Sequence, residues 1–325
     1  MQKWPRNKFG STNLVVARIC WGCGPLGGVP DLGYVVPEER AIEILLRVFD
    51  SPINFLDTAN FYGESESRIG KAIKLRGGLS EGFVVATKAD RDRQTNSFSA
   101  SQVRKSVETS CSRLGLKHLP LVYLHDPEYH PLYVSDRKKA MQEILAPNGP
   151  VAELEKLRDE GIISYIGISG GPINMLIEFI STGRFDALIT HNRWNLLWRG
   201  ADPLIDKARE MGLGIVNAAA YASGILAAGS VNGARAAYQT PTTEIMKKVK
   251  GMESVCQKYN VPLAAAALQF SLRDNRISST AVGISRVEEV EATLRLAEIA
   301  LPEKIWSELD MFAIGDEDPE KNRWK

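Results

Sequence analysis

Eight short apolar runs recur along this chain of 325 residues, and longer amphipathic segments separate them. Each run is continuous and rich in β-branched residues, which is typical of parallel strands that are buried on both faces. We therefore predict eight strands, which lie at Arg18–Trp21, Ile53–Asp57, Phe83–Thr87, Leu121–His125, Ile163–Ile168, Ala187–Thr190, Gly214–Asn217 and Thr280–Ile284.

Helices are predicted between these strands. Alternating strands and helices specify either a closed barrel or a doubly wound open sheet, and the count of eight favours the barrel. The predicted fold is α/β, a (β/α)8 TIM barrel that residues 1–325 form as a single domain, because no linker or low-complexity tract interrupts the chain. The predicted helices lie at Pro37–Phe49, Glu66–Lys74, Ser101–Leu114, Val151–Glu160, Ile173–Ser181, Pro203–Glu210 and Arg286–Ala297, with a helical pair between Thr240 and Asp274.

The segment KFGSTNLVVARI near the start predicts an N-terminal β-hairpin that could close one end of the barrel. Long loops follow His125 and Asn217. Both come after strands, so we expect both on the C-terminal face, where barrel active sites lie. Long loops in a compact domain are usually functional.

The charge balance argues against a polyanion partner. The chain carries 40 basic and 39 acidic side chains, a formal net charge of +1. Nucleic-acid binders show a basic excess or stripe instead. No apolar run reaches the roughly 18 residues of a membrane span, and the first residues lack a signal-peptide core. We expect a cytoplasmic protein without a membrane partner, and we leave its oligomeric state open.

Four cysteines are too few for a disulfide scaffold. Cys20 and Cys23 form a C-x-x-C pair, but no second pair completes a zinc site. We expect reduced thiols in or near the core and predict no metal.

Polar residues stand where buried strands should end. Asp57 closes INFLD, Lys88 closes FVVATK and His125 closes LVYLH, while Tyr62 follows Asp57 by five residues. Neighbouring strand ends in a barrel converge, so these four side chains should meet. Each residue alone is more often structural, but their arrangement at successive strand ends predicts a catalytic group.

The residue types suggest proton transfer at an oxygen. A tyrosine phenol has a pKa near 10, and a nearby ammonium lowers it. Lys88 would supply that ammonium, held by Asp57, and Tyr62 would exchange a proton with an alcohol or a carbonyl oxygen. His125 would orient that oxygen. Because no nucleophile is needed, the group suits hydride transfer with a cofactor.

The segment FLDTANFYGESESRIGKAI resembles the signature around the catalytic Asp and Tyr of the aldo-keto reductase superfamily. VVATKA and LVYLHDPE resemble its strands with the catalytic lysine and histidine, and the likeness continues over about residues 7–312 in the family's order. The resemblance implies that Asp57, Tyr62, Lys88 and His125 are the catalytic tetrad. It also implies a nicotinamide dinucleotide that is bound without a Rossmann domain.

The segments GIVNAAAYASGILAAG and LHDPE look most like the branch of sugar dehydrogenases of the D-threo-aldose, L-galactose and L-fucose type and of pyridoxal 4-dehydrogenase. This resemblance implies an NAD(P)-dependent oxidoreductase that oxidises a sugar or pyridoxal hemiacetal hydroxyl to a lactone.

The resemblance also assigns contacts to the nicotinamide end of the cofactor. Most relatives hold the nicotinamide amide with Ser-Asn after the fifth strand, whereas Ser169 and Gly170 stand here. The next contact falls on His191 or Asn192, and register favours His191. An aromatic residue often stacks on the ring, but that position is Ala218, so the partner is missing or comes from a loop residue such as Tyr221.

The last strand-loop-helix is expected to bind the other end of the cofactor through Gly283, Ile284, Ser285, Arg286 and Glu289. Backbone amides before a helix suit a phosphate. Glu289 would repel a 2′-phosphate and accept a hydrogen bond from a ribose hydroxyl. Arg286 would instead attract a 2′-phosphate. We predict NAD as the cofactor, with NADP as the alternative.

Aromatic faces with a few polar tips would suit a sugar or a pyridine ring. Packing in the core is the competing interpretation for Trp194 and Trp198, which are four residues apart. The candidate substrate residues are Trp21, Phe61, Tyr129, His130, Trp194 and Trp198.

Three other functions fit parts of the pattern. An NADPH-dependent reductase of aldehydes or ketones would use the same tetrad. A nicotinamide-binding regulatory subunit would need no tetrad, and a barrel enzyme of phosphate-ester chemistry would leave Tyr62 and Lys88 without a role.

Overall fold

The computed structural model describes residues 4–29 and 35–321. Within these ranges eight parallel strands close into a barrel in the order β10-β3-β4-β5-β6-β7-β8-β9, and two antiparallel strands, β1 and β2, form a separate hairpin. The predicted (β/α)8 barrel with an N-terminal hairpin is confirmed. The strands are β1 Arg6–Lys8, β2 Val15–Ala17, β3 Ile19–Gly22, β4 Phe55–Asp57, β5 Val84–Ala89, β6 Leu119–His125, β7 Ile163–Gly170, β8 Ala187–His191, β9 Gly214–Ala218 and β10 Ser279–Gly283.

The helices that follow the strands surround the barrel. In the described ranges they are α1 Glu38–Phe49, α2 Ser65–Arg76, α3 Ala100–Leu114, α4 Arg137–Leu145, α5 Pro150–Asp159, α6 Ile173–Ile180, α7 Asp202–Glu210, α8 Ile225–Ala228, α9 Thr243–Lys258, α10 Leu263–Leu272, α11 Glu288–Glu298 and α12 Lys304–Asp310.

Successive residues of a barrel strand point to opposite faces and pack into two different apolar layers. Phe55 and Tyr123 belong to the cluster inside the barrel. Leu56 and Val122 belong to the larger cluster between the barrel and the helices. Because both faces of the barrel strands are largely buried, these strands read as continuous apolar runs.

The hairpin closes the N-terminal end of the barrel with Phe9. This ring is fully buried in the inner cluster and meets Phe55 edge-on, with 5.6 Å between the ring centroids. Asn54 ties the hairpin to the barrel, since its Oδ1 accepts from Ala17 N at 2.9 Å and its Nδ2 donates to Val15 O at 2.8 Å.

Three segments differ from the predicted elements. The loop after His125 contains helix α4, which Asp136 caps by accepting from Lys139 N at 3.0 Å. The loop after Asn217 contains the short helix α8, and helix α12 was not predicted. Helix α4 forms because Asp136 caps its first turn and its residues favour a helix, although the residues around it are typical of a loop.

Cys20, Cys23, Cys111 and Cys256 are free, and all but Cys111 are buried, as expected of core thiols. No helix in the described part of the chain is long and apolar enough to cross a membrane.

Candidate active site

The ends of β4, β5 and β6 bring the four predicted catalytic residues together. The strands pair in register, with Asp57 opposite Ala86 and Lys88 opposite Tyr123. Lys88 Nζ donates to Asp57 Oδ2 at 2.6 Å and to Thr58 O at 2.7 Å. The same ammonium lies 4.7 Å from the centroid of the Tyr62 ring.

Lys88 stays charged although its side chain is only 3% exposed. Burial lowers the pKa of Lys88, but attraction to Asp57 and Tyr62 outweighs burial and raises the pKa above its ordinary value. The sequence correctly predicts the pairing of Asp57 with Lys88.

The net shift of Tyr62 is opposite to the expected one. Burial raises the pKa of Tyr62 to about 12, and Asp57 and Asp126 add to the rise. Lys88 lowers the pKa, as expected, but only offsets part of the effect of burial. In the described structure Tyr62 is therefore a neutral phenol, ready to donate a proton.

His125 is held by a carboxylate that the sequence analysis missed. Its Nδ1 hydrogen-bonds Asp90 Oδ1, and Asp90 Oδ2 accepts from Phe61 N at 2.8 Å. A carboxylate only accepts, so Nδ1 carries a proton and Nε2 faces the other way. Burial lowers the pKa of His125, but Asp90 and Asp126 raise it above its ordinary value. The ring meets Tyr62 edge-on, with 5.8 Å between the centroids.

Buried polar atoms without a hydrogen-bond partner gather at the ends of β7 and β8. Within the described residues they include Ser169 Oγ, Asn192 Oδ1 and Glu128 Oε2. Such atoms cost free energy unless a ligand or water pairs with them. A carboxamide, with two N–H donors and one carbonyl, fits hydroxyl and carbonyl groups of this kind. These strand ends therefore suit the nicotinamide amide.

Glu128 fills the space that the glycine at 170 leaves open. A Cβ on Gly170 would lie 2.8 Å from Glu128 Oε2, and Glu128 Oε1 accepts from Gly171 N at 2.7 Å. The departure from Ser-Asn at this position is therefore coupled to a glutamate, which the sequence analysis missed because the two residues are 42 positions apart.

His191 is engaged by the C-terminal segment. Its Nε2 lies 3.2 Å from Glu320 Oε2, and the same oxygen accepts from Arg193 Nη1 at 2.7 Å. Glu320 and Arg193 are both buried, and Asp318 Oδ1 accepts from Arg193 Nη2 at 2.7 Å. Asn192 Nδ2 donates to the same Glu320 oxygen at 3.5 Å, but Asn192 Oδ1 has no partner among the described residues. Asn192 is therefore the better candidate for the amide contact that register had given to His191.

The loop after β10 is closed on itself by Glu289. Its Oε2 accepts from Ser285 N at 2.7 Å and from Arg286 N at 3.1 Å, and its Oε1 lies 3.0 Å from Arg286 Nε. Gly283 is exposed, whereas Ile284 is buried. The carboxylate thus takes the backbone amides that we expected to meet a phosphate.

Ala218 ends β9 and is half-buried, and Tyr221 follows it in the loop. The Tyr221 ring packs against both outer apolar clusters, and its hydroxyl is buried. Burial and the charge of Glu289 raise the pKa of Tyr221.

Phe61 and Tyr129, two of the predicted substrate residues, lie at the mouth of the barrel. Phe61 meets His125 edge-on with 6.4 Å between the centroids. Arg91 was not predicted, but its guanidinium lies 4.5 Å from the Phe61 ring centre and 3.9 Å from that of Tyr129. The three side chains form one continuous wall beside the catalytic group.

Four predicted substrate residues lie elsewhere, and for Trp21 the prediction was wrong. Trp21 faces the helices, is fully buried, and donates to Ser51 Oγ at 3.3 Å. Both faces of a barrel strand are apolar, so the sequence does not show which side Trp21 takes.

Trp194, Trp198 and His130 also have structural partners. Trp194 packs on Phe270 at 5.5 Å between centroids, and Trp198 is buried in the cluster around α9 and α10. The His130 ring stacks on Phe98, and its Nδ1 accepts from Leu132 N at 3.2 Å. Packing is thus the better interpretation of all three. No group of three His, Cys, Asp or Glu in residues 4–29 and 35–321 is placed to hold a metal ion.

Comparison with known proteins agrees with this geometry. The profile of the aldo/keto reductase family matches residues 18–314. L-galactose dehydrogenase of Arabidopsis thaliana is 28% identical over 95% of this chain and 94% of that protein. D-threo-aldose 1-dehydrogenase of a Pseudomonas species is 29% identical over 92% and 94%, and pyridoxal 4-dehydrogenase of Microbacterium luteolum is 26% identical over 94% and 96%.

A solved structure gives the same architecture. The holo form of an aldo-keto reductase from Bacillus halodurans matches with a TM-score of 0.73 at 22% identity, covering 95% of this chain and 96% of that chain. At this identity the likeness shows the fold alone.

Proposed function

The chain belongs to the aldo/keto reductase family, and from that premise we propose that it oxidises the hemiacetal hydroxyl of a sugar or of pyridoxal to a lactone. It is an NAD(P)-dependent oxidoreductase of small molecules. The observation that carries the proposal is the meeting of Asp57, Tyr62, Lys88 and His125 at adjacent strand ends. The sugar and pyridoxal dehydrogenases among its relatives support the substrate class.

Tyr62 moves the proton in this proposal. As the phenolate it takes the proton of the substrate hydroxyl during oxidation, and as the phenol it gives a proton to the carbonyl oxygen during reduction. The bound nicotinamide ring supplies the hydride chemistry. Lys88 opposes the effect of burial on the Tyr62 pKa, and its bond to Asp57 Oδ2 at 2.6 Å keeps the ammonium in place.

His125 orients the reacting oxygen. Asp90 holds Nδ1, which leaves Nε2 to meet an oxygen bound beside Tyr62. Asp90 acts through His125 and is therefore a positioning residue. It also fixes the backbone of Phe61, the residue before Tyr62.

The nicotinamide amide would be held by Ser169, Asn192 and the backbone at Gly170. The unpartnered Ser169 Oγ and Asn192 Oδ1 support this assignment. Ala218 would lie beside the ring without stacking on it, since it has no aromatic group.

NAD is the cofactor that the β10 loop favours. Glu289 already accepts from the amides of Ser285 and Arg286 and pairs with the Arg286 guanidinium. A 2′-phosphate near this loop would meet a carboxylate and an already neutralised arginine. A ribose hydroxyl could donate to the same carboxylate.

The direct test is a scan of absorbance at 340 nm. Purified protein is mixed with NAD or NADP and a panel of aldoses and pyridoxal, and then with NADH or NADPH and aldehydes. NADH formation with a sugar or pyridoxal supports the proposal. Consumption of NADPH with aldehydes and no oxidation of any panel member would contradict it.

A reductase of aldehydes is the second candidate, and Tyr62 favours it. A phenol whose pKa is raised to about 12 is protonated at neutral pH, which suits proton donation to a carbonyl oxygen. The reverse half of the scan decides between the two directions.

A further inference from the structure

Asp126 lies directly beside the catalytic group and has no role in the mechanism above. Its Oδ2 is 3.7 Å from His125 Nε2, which is too long for a hydrogen bond. His125 therefore has one carboxylate on each side, with Asp90 bonded to Nδ1 and Asp126 near Nε2.

The backbone at Asp126 aims the side chain toward this place. Asp126 has φ 46° and ψ 62°, the left-handed conformation that few residues other than glycine adopt. Its backbone N donates to Ser169 O at 2.9 Å, and its carbonyl accepts from Tyr129 N at 3.0 Å, so both neighbouring segments hold the turn. Outliers of this kind concentrate at functional sites.

The Asp126 carboxylate can still accept hydrogen bonds from a ligand. Within the described residues no side chain or backbone amide donates a hydrogen bond to it, and the side chain is 21% exposed. Burial raises the pKa of Tyr62, and the charge of Asp126 adds to that rise. Burial lowers the pKa of His125 and of Arg91, and the charge of Asp126 opposes that fall. With Oδ2 3.7 Å from His125 Nε2, the carboxylate lies beside the place where His125 meets Tyr62.

We propose that Asp126 binds the hydroxyl on the substrate carbon next to the reacting one, and so selects sugars, which carry that hydroxyl, over pyridoxal, which does not. The inference rests on the proposed function, since the reacting oxygen must lie between Tyr62 and His125. A hydroxyl on the carbon next to the reacting carbon can donate to the Asp126 carboxylate, because this carboxylate lies 3.7 Å from His125 Nε2. Charged acceptors of this kind discriminate strongly against analogues without the hydroxyl.

The test compares glycolaldehyde with acetaldehyde, which differ only in that hydroxyl. Reduction by NADH or NADPH is followed for the wild type and for Asp126→Asn, since asparagine tolerates the left-handed backbone. We expect Asp126→Asn to lose about 10- to 100-fold in kcat/KM with glycolaldehyde and less than about threefold with acetaldehyde.

Asp92→Asn is the matched control. Asp92 lies in the loop after β5, and its Oδ1 accepts from Gln94 N at 3.0 Å and Thr95 N at 2.9 Å, which an asparagine oxygen can also do. This variant removes the same charge from the same face of the barrel and should leave both kcat/KM values unchanged.

The outcomes separate the two proposals. An equal loss with both aldehydes would mean that Asp126 acts only through His125, and no loss with either would mean that it does not contact substrate; both overturn this inference alone. A wild type that oxidises no sugar and no pyridoxal with NAD or NADP overturns the proposed function. A wild type that reduces glycolaldehyde no better than acetaldehyde overturns this inference alone.

Discussion

At the scale of single residues, the proton donor Tyr62 lies beside two buried ionic contacts. Lys88 bonds Asp57, and His125 bonds Asp90. Each contact fixes a side chain that faces Tyr62, and removing either partner leaves a buried group uncompensated.

Tyr62→Phe removes the hydroxyl that exchanges the proton. Turnover should fall by roughly 10²- to 10⁴-fold, the usual contribution of a positioned acid or base. The dissociation constant of NADH, measured by fluorescence, should stay within about threefold, because the assigned amide contacts are at β7 and β8. Retained turnover would remove Tyr62 from its role.

Asp90→Asn should lower the pKa of His125. Burial opposes the charged imidazole, while Asp90 and Asp126 favour it and Lys88 disfavours it. Without the Asp90 charge, His125 should lose its proton at a lower pH. The pH dependence of kcat/KM for reduction should then fall at lower pH than in the wild type.

NMR titration of the four histidines gives the shift directly. A lower kcat with an unchanged His125 titration would show that Asp90 only supports the loop at Phe61.

At the scale of elements, the site residues at the strand ends could be predicted from the sequence, whereas the carboxylates in the adjoining loops were not. Asp57, Lys88 and His125 were predictable because each interrupts an apolar run. Asp90 carries a related signal, a charge immediately after β5, which the sequence analysis did not use. Glu128 depends on its long-range contact at Gly170, and no local pattern reveals such a pair.

Glu289→Gln tests the β10 loop. Glutamine can still accept from the backbone amides of Ser285 and Arg286, but it no longer repels a phosphate or neutralises the Arg286 guanidinium. The ratio of kcat/KM with NADP to that with NAD should rise by about tenfold or more. An unchanged ratio would place the adenosine ribose away from this loop.

Phe9→Ala tests the hairpin. The ring fills the N-terminal end of the barrel against Phe55, so its loss should lower the free energy of unfolding by about 3–5 kcal/mol in urea denaturation. Phe9→Leu should cost less, since it leaves a smaller cavity. Because the catalytic group lies at the opposite end, kcat/KM should change little. A large loss of activity in the folded variant would contradict this separation.

At the scale of the whole molecule, strands from distant parts of the sequence close the barrel. β10 pairs with β3 in register, Thr280 opposite Ile19. We propose on this basis that residues 1–325 act as one domain. Sequence spacing predicted the closure of the barrel. It did not predict the C-terminal segment at the mouth, because the buried ion pair of Glu320 is with Arg193, which is far from it in the sequence.

Arg193→Met tests that segment. The change leaves Glu320 buried without its guanidinium, a loss worth about 3–5 kcal/mol if the segment stays in place. We expect the segment to detach instead and to become sensitive to limited proteolysis. Adding Glu320→Gln should restore part of the protection. A fully protected segment in Arg193→Met would show that its backbone contacts suffice.

The position of the C-terminal segment also bears on how the protein should be produced. Glu320 lies buried against His191 and Arg193 at the mouth of the barrel, whereas the hairpin lies at the other end. An affinity tag fused at the carboxyl end would follow this segment in the chain and compete with it for its place at the mouth. A tag fused ahead of the hairpin would leave the entrance clear, so kinetic work should use the amino-terminal fusion.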